Sequence, residues 1–181
     1  IDAQGRCTSI AVGTYANDHH YPGDDWPLAP KSVRWGGRWS GTPFCIPFDA
    51  LITDSIPNLV MAEKGFSVSH MANGATRLQP LILNLGQVAG LAAAMAVRQG
   101  CDLGDLAVES IQSALIHEPK APAAVLPIWD WPHWHPHWVT AQEQGLAQPE
   151  HLDAMGCLSG SGASMLMPPG VNQAPQQSHE V

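Results

Sequence analysis

The sequence predicts an α/β fold, and three patterns indicate it. The run "SIAV" at residues 9–12 is short and apolar, as in a buried strand. Residues 58–62 form a second strand-like run, which a polar loop connects to a long apolar helical pattern at residues 79–99. A further helical pattern follows at residues 102–118. Strands and helices that alternate along a chain are typical of α/β proteins.

The first part of the chain, residues 1–55, predicts strands joined by loops. "SIAVGTY" predicts a strand that ends at Tyr15, and the prolines and glycines of "ANDHHYPGDDWPLAP" indicate a loop. "TPFCIPFDALIT" predicts an extended segment, because Pro43 and Pro47 do not suit a helix or a central strand. The chain starts at Ile1 in what reads as the middle of a domain, so we expect a portion of a longer protein.

Both helical patterns carry terminal signals. Pro80 suits the first turn of the helix at residues 79–99, and Gly100 suits its C-terminal stop. Asp102 is placed to cap the second helix, whose apolar residues recur at roughly helical spacing. Beyond them, residues 119–181 begin with a proline-rich connection and the stretch "IWDWPHWHPHW". The last residues are poor in large apolar side chains, which predicts a disordered tail.

Composition excludes one class of function and indicates a compartment. The formal net charge is −8 with only 8 lysines and arginines, so the chain lacks the basic patch of a nucleic-acid-binding protein. No signal peptide is recognisable at its start. The four cysteines, Cys7, Cys45, Cys101 and Cys157, form no CxxC pair. We therefore expect structural thiols in a reducing compartment, the cytoplasm.

The apolar helix could be interpreted as a membrane span. Residues 78–97 are about as long as a bilayer requires, and Gly86-x-x-x-Gly90 is a pattern of packed membrane helices. Three polar side chains, a proline and few large aliphatic residues argue against this interpretation. We therefore predict no membrane span.

The same helix has features of a nucleotide site. Gly86, Gly90 and Ala94 recur every fourth residue, so they share one face that a ligand or another backbone can approach closely. The loop "SHMANGATR" precedes the helix and ends at Arg77. The unpaired N–H groups and the positive dipole end of the helix suit an anion or a polarised carbonyl oxygen.

The segment "NLVMAEKGFSVSHMANGATRLQPLILNLGQVAGLAAAMAVRQG" resembles the C-terminal FAD-binding segment of FAD-dependent oxidoreductases with a glutathione-reductase-like fold. Such segments combine a short strand, a Ser-x-x-Ala-x-Gly loop, Arg, Pro and a Gly-Gln-Ala-Ala-Gly helix. Upstream, "AVGTYANDHHYP" is similar to a Gly-Ser-Tyr-x-x-Asp-x-His stretch, and "PFCIPFDALI" to a Pro-Tyr-x-Ile-Pro-Tyr-x-x-Leu stretch. The resemblance covers about residues 10–118, in the same order.

This resemblance implies FAD as the cofactor. The candidate cofactor-binding residues at matching positions are Ala62, Glu63, Gly74, Arg77, Gln79, Pro80, Gly86, Gln87 and Gly90. Glu63-Lys64 departs from the Gly-Arg that usually follows the strand. A glutamate there could accept hydrogen bonds from ribityl hydroxyls, or it could repel a pyrophosphate.

The dinucleotide fingerprint is not found in the chain. No G-x-G-x-x-G follows a strand near its start, and in a complete family member this motif would lie before residue 1. The resemblance therefore implies the C-terminal portion of a two-domain enzyme, with the missing N-terminal half of the FAD domain as a partner. Residues 1–55 would belong to the substrate domain, residues 56–118 to the FAD domain, and residues 119–181 to an arm and tail.

Asp18 and His20 are the candidate catalytic residues. In the family that this chain resembles, their loop lies near the flavin and a small-molecule substrate. Asp18 could orient His20, and His20 could move a proton while the flavin takes a hydride. A surface loop with solvated histidines is the open alternative.

Two stretches allow a metal site as a further alternative. The first has five ligand-type residues, Asp18, His19, His20, Asp24 and Asp25, which would suit a metal-dependent hydrolase. Manganese phosphoesterases with Asp-His-His need further aspartate motifs upstream, which this chain lacks. The second has alternating histidines, His133, His135 and His137, but the tryptophans around them favour an arm packed on the protein. We predict no metal; a non-catalytic remnant or interaction module remains a third hypothesis.

Overall fold

The structure is a computed structural model, and it describes residues 2, 5–15, 43–128 and 131–148. Its strands and α-helices in chain order are β1 (Ser9–Gly13), β2 (Phe44–Pro47), α1 (His70–Thr76), α2 (Gln79–Gln99), α3 (Val108–Ile116) and α4 (Pro136–Ala147). Two 3₁₀ turns, Phe48–Ala50 and Leu103–Asp105, lie between them. Helices packed against a small sheet are compatible with part of an α/β protein.

The sheet is an antiparallel pair of β1 and β2. Ser9 lies opposite Pro47 and Gly13 opposite Phe44, with an irregularity between Ser9 and Ala11. A Cβ atom on Gly13 would overlap the Phe44 ring, so a larger residue there would require that ring to move. Pro47 ends β2, where its missing N–H interrupts no central strand. Both predicted extended segments are thus confirmed, over fewer residues than the sequence indicated.

The prediction of a buried strand at residues 58–62 is wrong. Only an isolated bridge forms there, between Ile52 and Val60, and Leu59 is 41% exposed. The physical reason is that a strand needs hydrogen-bonding neighbours on its edges. Within the described part of the chain, residues 58–62 pair in β-like fashion with one segment only, around Leu51 and Ile52.

The prediction of a polar loop at residues 69–77 is also wrong, because most of it is helix α1. The Ser69 hydroxyl accepts a hydrogen bond from the Ala72 N–H at 3.2 Å and caps the helix. Gly74 lies inside the helix and is buried, instead of forming a turn after Asn73. The Ser69 cap therefore favours a helix at residues where the pair Asn73-Gly74 alone favours a turn.

Helix α2 begins and ends at the predicted residues, Gln79 and Gln99. Pro80 lies in its first turn, and Gly100 ends it in the left-handed conformation with φ 65°. One stripe of α2 is buried in the core. That stripe consists of Leu81, Ile82, Leu85, Val88, Ala89, Ala92, Met95 and Ala96.

Helix α3 begins later than the sequence predicted. Asp102 precedes the 3₁₀ turn Leu103–Asp105 and makes no side-chain capping bond. Leu106 then has extended backbone angles, which interrupt the helical path before Val108. The buried positions of α3 include Ile111 and Leu115, as their spacing predicted.

The tryptophan- and histidine-rich stretch is not an extended segment. His135 caps α4 through its Nδ1 atom, which accepts from the His137 N–H at 3.2 Å, and the helix follows from Pro136. The metal alternative required an extended segment with its histidines on one side, and residues 131–138 do not form one. Trp138 is buried in the core, whereas Trp134 is 74% exposed. The described residues contain no group of three potential metal ligands.

Buried polar side chains connect the C-terminal part of the fold to β1. Gln142 on α4 is fully buried; its carbonyl accepts from the Val125 and Leu126 N–H groups, and its amide donates to the Leu126 carbonyl. The Ser9 hydroxyl donates to the Val125 carbonyl at 2.5 Å. These bonds fix the segment around residues 125–126 between β1 and α4.

Candidate functional site

The candidate site lies at the junction between α1 and α2. Leu78 is the N-cap of α2; its backbone is extended and its side chain makes no capping bond. Neither α1 nor α2 has an acidic side chain in its first turn. The first N–H groups of α2 therefore keep their hydrogen-bonding capacity, and the positive end of the helix dipole is not offset by a local carboxylate.

Arg77 lies directly before this helix end. It is the C-cap of α1, and its side chain is exposed, as are the next site residues Gln79 and Pro80. A guanidinium beside a helix N-terminus gives a locally positive surface on a chain whose net charge is −8. The structure thus brings Gly74, Arg77, Gln79 and Pro80 together at one junction.

Thr76 adds an observation that the sequence did not reveal. Its hydroxyl oxygen is buried and has no hydrogen-bond partner within the described part of the protein, and the residue is 3% exposed. Such a group typically costs about 1–3 kcal/mol, so native proteins rarely leave one without a purpose. The sequence signal was a hydroxyl next to Arg77, but burial of that hydroxyl depends on tertiary packing.

Ala62 and Gly86 are also brought together. A Cβ atom on Gly86 would lie 3.7 Å from the Ala62 carbonyl oxygen, so the turn after residue 61 passes over α2 at this glycine. Glu63 and Lys64 follow in that turn as an exposed pair, with 3.6 Å between Lys64 Nζ and Glu63 Oε1. Their charges face solvent in this chain.

Gln87 has a structural contact. Its Nε2 atom donates to the Ala121 carbonyl at 2.7 Å, and its carbonyl is 3.5 Å from Asn84 Nδ2. The bond to Ala121 connects α2 to the proline-rich segment that follows α3. A role for Gln87 toward a cofactor stays a prediction.

The small-residue face of α2 is open around Gly90. No described residue lies within 4 Å of a Cβ atom built on Gly90, and this face also exposes 73% of Leu83 and 83% of Val97. By length and composition α2 could cross a membrane, and only 44% of its most apolar window is buried in the fold. The absence of a membrane span therefore stays a prediction, and an apolar face remains available to a partner.

The candidate catalytic residues Asp18 and His20 lie outside the described residues. The same holds for His19, Asp24 and Asp25 of the metal hypothesis. Tyr15 is the last described residue before them, just beyond β1, and it is 42% exposed. Their assignments stay predictions.

One family model matches the chain. Residues 2–115 match the family described as FAD dependent oxidoreductase. The matched part includes both strands, the α1–α2 junction and nearly all of α3, but it stops before α4. No curated protein and no solved structure matches the chain.

Proposed function

Because the chain belongs to the family of FAD dependent oxidoreductases, whose cofactor is FAD, we propose that it is the C-terminal portion of a two-domain flavoenzyme with a glutathione-reductase-like fold. Residues 1–55 would complete the substrate domain and residues 56–118 the FAD domain. Residues 119–181 would form an arm and tail. The flavin supplies the hydride chemistry, and the protein supplies binding and electrostatics.

The observation that carries this proposal is the buried Thr76 hydroxyl on the last residue of α1, close in sequence to the uncapped start of α2 at Gln79. A hydroxyl without a partner, free helix N–H groups and an exposed arginine fit the oxygen-rich parts of FAD in chemical type. In our proposal Arg77 and the α2 N–H groups bind an anionic or carbonyl oxygen of FAD. The Thr76 hydroxyl gains a hydrogen-bond partner in the same site.

Two features support an additional N-terminal half as the partner. Among the described residues, the face of α2 around Gly90 is open and is flanked by exposed Leu83 and Val97. Residues 58–62 form one bridge where the family resemblance implies a strand within a sheet. A neighbouring half-domain would cover the apolar face, extend that sheet and supply the phosphate-binding glycine loop.

Substrate chemistry would depend on the loop before residue 42. We propose that His20, oriented by Asp18, transfers a proton to or from a small-molecule substrate during hydride transfer. We further propose that the enzyme acts in the cytoplasm, where thiols such as Cys7, Cys45 and Cys101 stay reduced. No observation on the described residues favours a metal-dependent hydrolase.

The test uses Thr76→Val and Arg77→Ala in a full-length protein that includes the N-terminal half. We expect both variants to retain several-fold less FAD, measured from flavin absorbance per protein, because each loses a cofactor contact. Arg98→Ala, in the last turn of α2, is the matched control and should retain FAD normally. FAD content at the wild-type level in both variants would refute the assignment of the junction.

Thr76→Val also has a readout in the 181-residue chain without FAD. Removing a buried hydroxyl that has no partner among the described residues should not destabilise the fold, and it should raise the free energy of unfolding by up to about 1 kcal/mol. A clear loss of stability would mean that the hydroxyl has a structural partner within the chain. That result would remove the main support for a ligand at this position.

A further inference from the structure

A second concave site lies away from the α1–α2 junction, between α3 and α4. It is a groove of about 460 Å³, which is within the range of small-molecule sites. One wall comes from α3, the other from α4, and Arg6 and Cys7 close one end. Because α4 lies beyond the residues that match the family, one wall is specific to this chain's C-terminal part.

The floor of the groove is apolar and fixed. Ile116 and Cys7 are buried there, and burial raises the pKa of the Cys7 thiol, so that it stays uncharged at neutral pH. Gln112 is 2% exposed, and its amide donates to the Cys7 and Ser9 carbonyls at 2.8 and 2.9 Å. The floor therefore provides an apolar surface on which a ligand can pack, and its side chains do not need to rearrange when the ligand binds.

The rim of the groove is acidic. Glu109 on α3 and Glu143 on α4 contribute one carboxylate from each wall. Arg6 contributes a cation at the rim. Its Nε atom is 2.7 Å from Asp2 Oδ2, and its Nη1 atom is 3.8 Å from Glu109 Oε1. Among the residues that line the groove, one guanidinium against the carboxylates of Glu109 and Glu143 leaves a net charge of −1. His117 adds positive charge only when it is protonated; its Nε2 atom is 3.3 Å from Glu143 Oε1.

We propose that this groove binds a small organic cation that carries an apolar body. The apolar part would pack on Cys7, Ile116 and Leu146, and the ammonium group would lie between Glu109 and Glu143. Since these carboxylates are 57% and 53% exposed, each contributes modestly, and selectivity for charge is expected to be several-fold. The proposal does not depend on FAD.

The test is a titration of the ¹⁵N-labelled 181-residue chain with benzylamine, benzyl alcohol and benzoate at neutral pH. These three probes share a ring and differ in charge. We expect saturable chemical-shift changes at Ser113 and Ala147, which line the groove, with affinity in the order cation, neutral, anion. Equal affinity for the three probes, or shift changes elsewhere, such as at Trp131 and Trp134, would overturn the proposal.

Variants on both walls complete the test. Glu143→Gln and Glu109→Gln should each weaken benzylamine binding by about two- to fivefold and leave benzyl alcohol unaffected. Because Glu109 lies on α3 and its described ion pair is with Arg6, its variant separates loss of charge from displacement of α4. Glu63→Gln, an exposed carboxylate in another turn, is the matched control and should bind normally. Unchanged benzylamine affinity in both wall variants would refute the site.

Discussion

At the scale of single residues, buried polar side chains determine how the C-terminal part attaches to the rest of the fold. Gln142 satisfies two N–H groups and one carbonyl of residues 125–126, and Gln112 satisfies the carbonyls of Cys7 and Ser9. Each bond closes a long loop of the chain. A buried amide that meets several backbone groups at once is costly to replace, because every group it served loses its partner.

We therefore expect Gln142→Leu to lower the free energy of unfolding of the 181-residue chain by about 3 kcal/mol or more. The physical reason is that two N–H groups and a carbonyl would remain buried without hydrogen bonds. Gln144→Leu is the matched control, because Gln144 lies on the exposed face of the same helix. Chemical denaturation followed by circular dichroism measures both, and equal stabilities would contradict this account of α4.

These residues also show where sequence reasoning stops. The local sequence around Gln112, Gln142 or Thr76 does not distinguish these residues from surface residues of a helix. Their burial is determined by segments that are distant along the chain. The local sequence did place Arg77 and Pro80 next to each other at the start of a helix. A local signal locates the junction, and tertiary packing decides which hydroxyl near it is left without a partner.

At the scale of elements, local signals at both ends explain why α2 was predicted with its observed bounds. Pro80 and Gly100 act through their own backbone conformations, so no distant contact is needed. Residues 58–62 failed as a strand prediction because strand formation depends on neighbours. Residues 69–77 failed because Asn73-Gly74 is typical of a turn, whereas the Ser69 cap favours a helix.

The open face of α2 gives an element-scale prediction. Gly90→Leu should be tolerated in the 181-residue chain, and the higher helix propensity of leucine should stabilise it by about 0.5–1 kcal/mol, because no described residue lies within 4 Å of the added Cβ. In a full-length protein the same change should reduce FAD retention, since overpacking a close contact typically costs about 1–3 kcal/mol.

Gly90→Ala separates the two effects of Gly90→Leu, the gain in helix propensity and the added side-chain volume. Alanine gains most of the helix propensity but adds a single carbon, so it should stabilise the chain and disturb cofactor retention less than leucine. Thermal unfolding of the chain and flavin content of the full-length protein are the two measurements. A destabilised chain with Gly90→Leu would show that the face is already packed, and normal FAD content would show that it contacts no partner.

At the scale of the whole molecule, the fold has one well-packed side and one open side. The core between β1, α2, α3 and α4 includes Ile10, Leu85, Ile111 and Trp138, all nearly inaccessible to solvent. The opposite face of α2 and the single bridge at Val60 remain uncovered within the described residues. In our proposal the N-terminal half, which would carry the glycine fingerprint, covers this open side.

The central claim is that this chain completes an FAD site only together with an N-terminal half. The direct measurement is FAD occupancy, by flavin absorbance and fluorescence titration, of the 181-residue chain and of the same chain joined to that half. We expect weak or undetectable FAD binding by the chain alone and nearly one FAD per molecule in the joined protein. The reason for the difference is that the glycine loop of the N-terminal half supplies the pyrophosphate contacts. Submicromolar FAD binding by the chain alone, or no FAD in the joined protein, would contradict it.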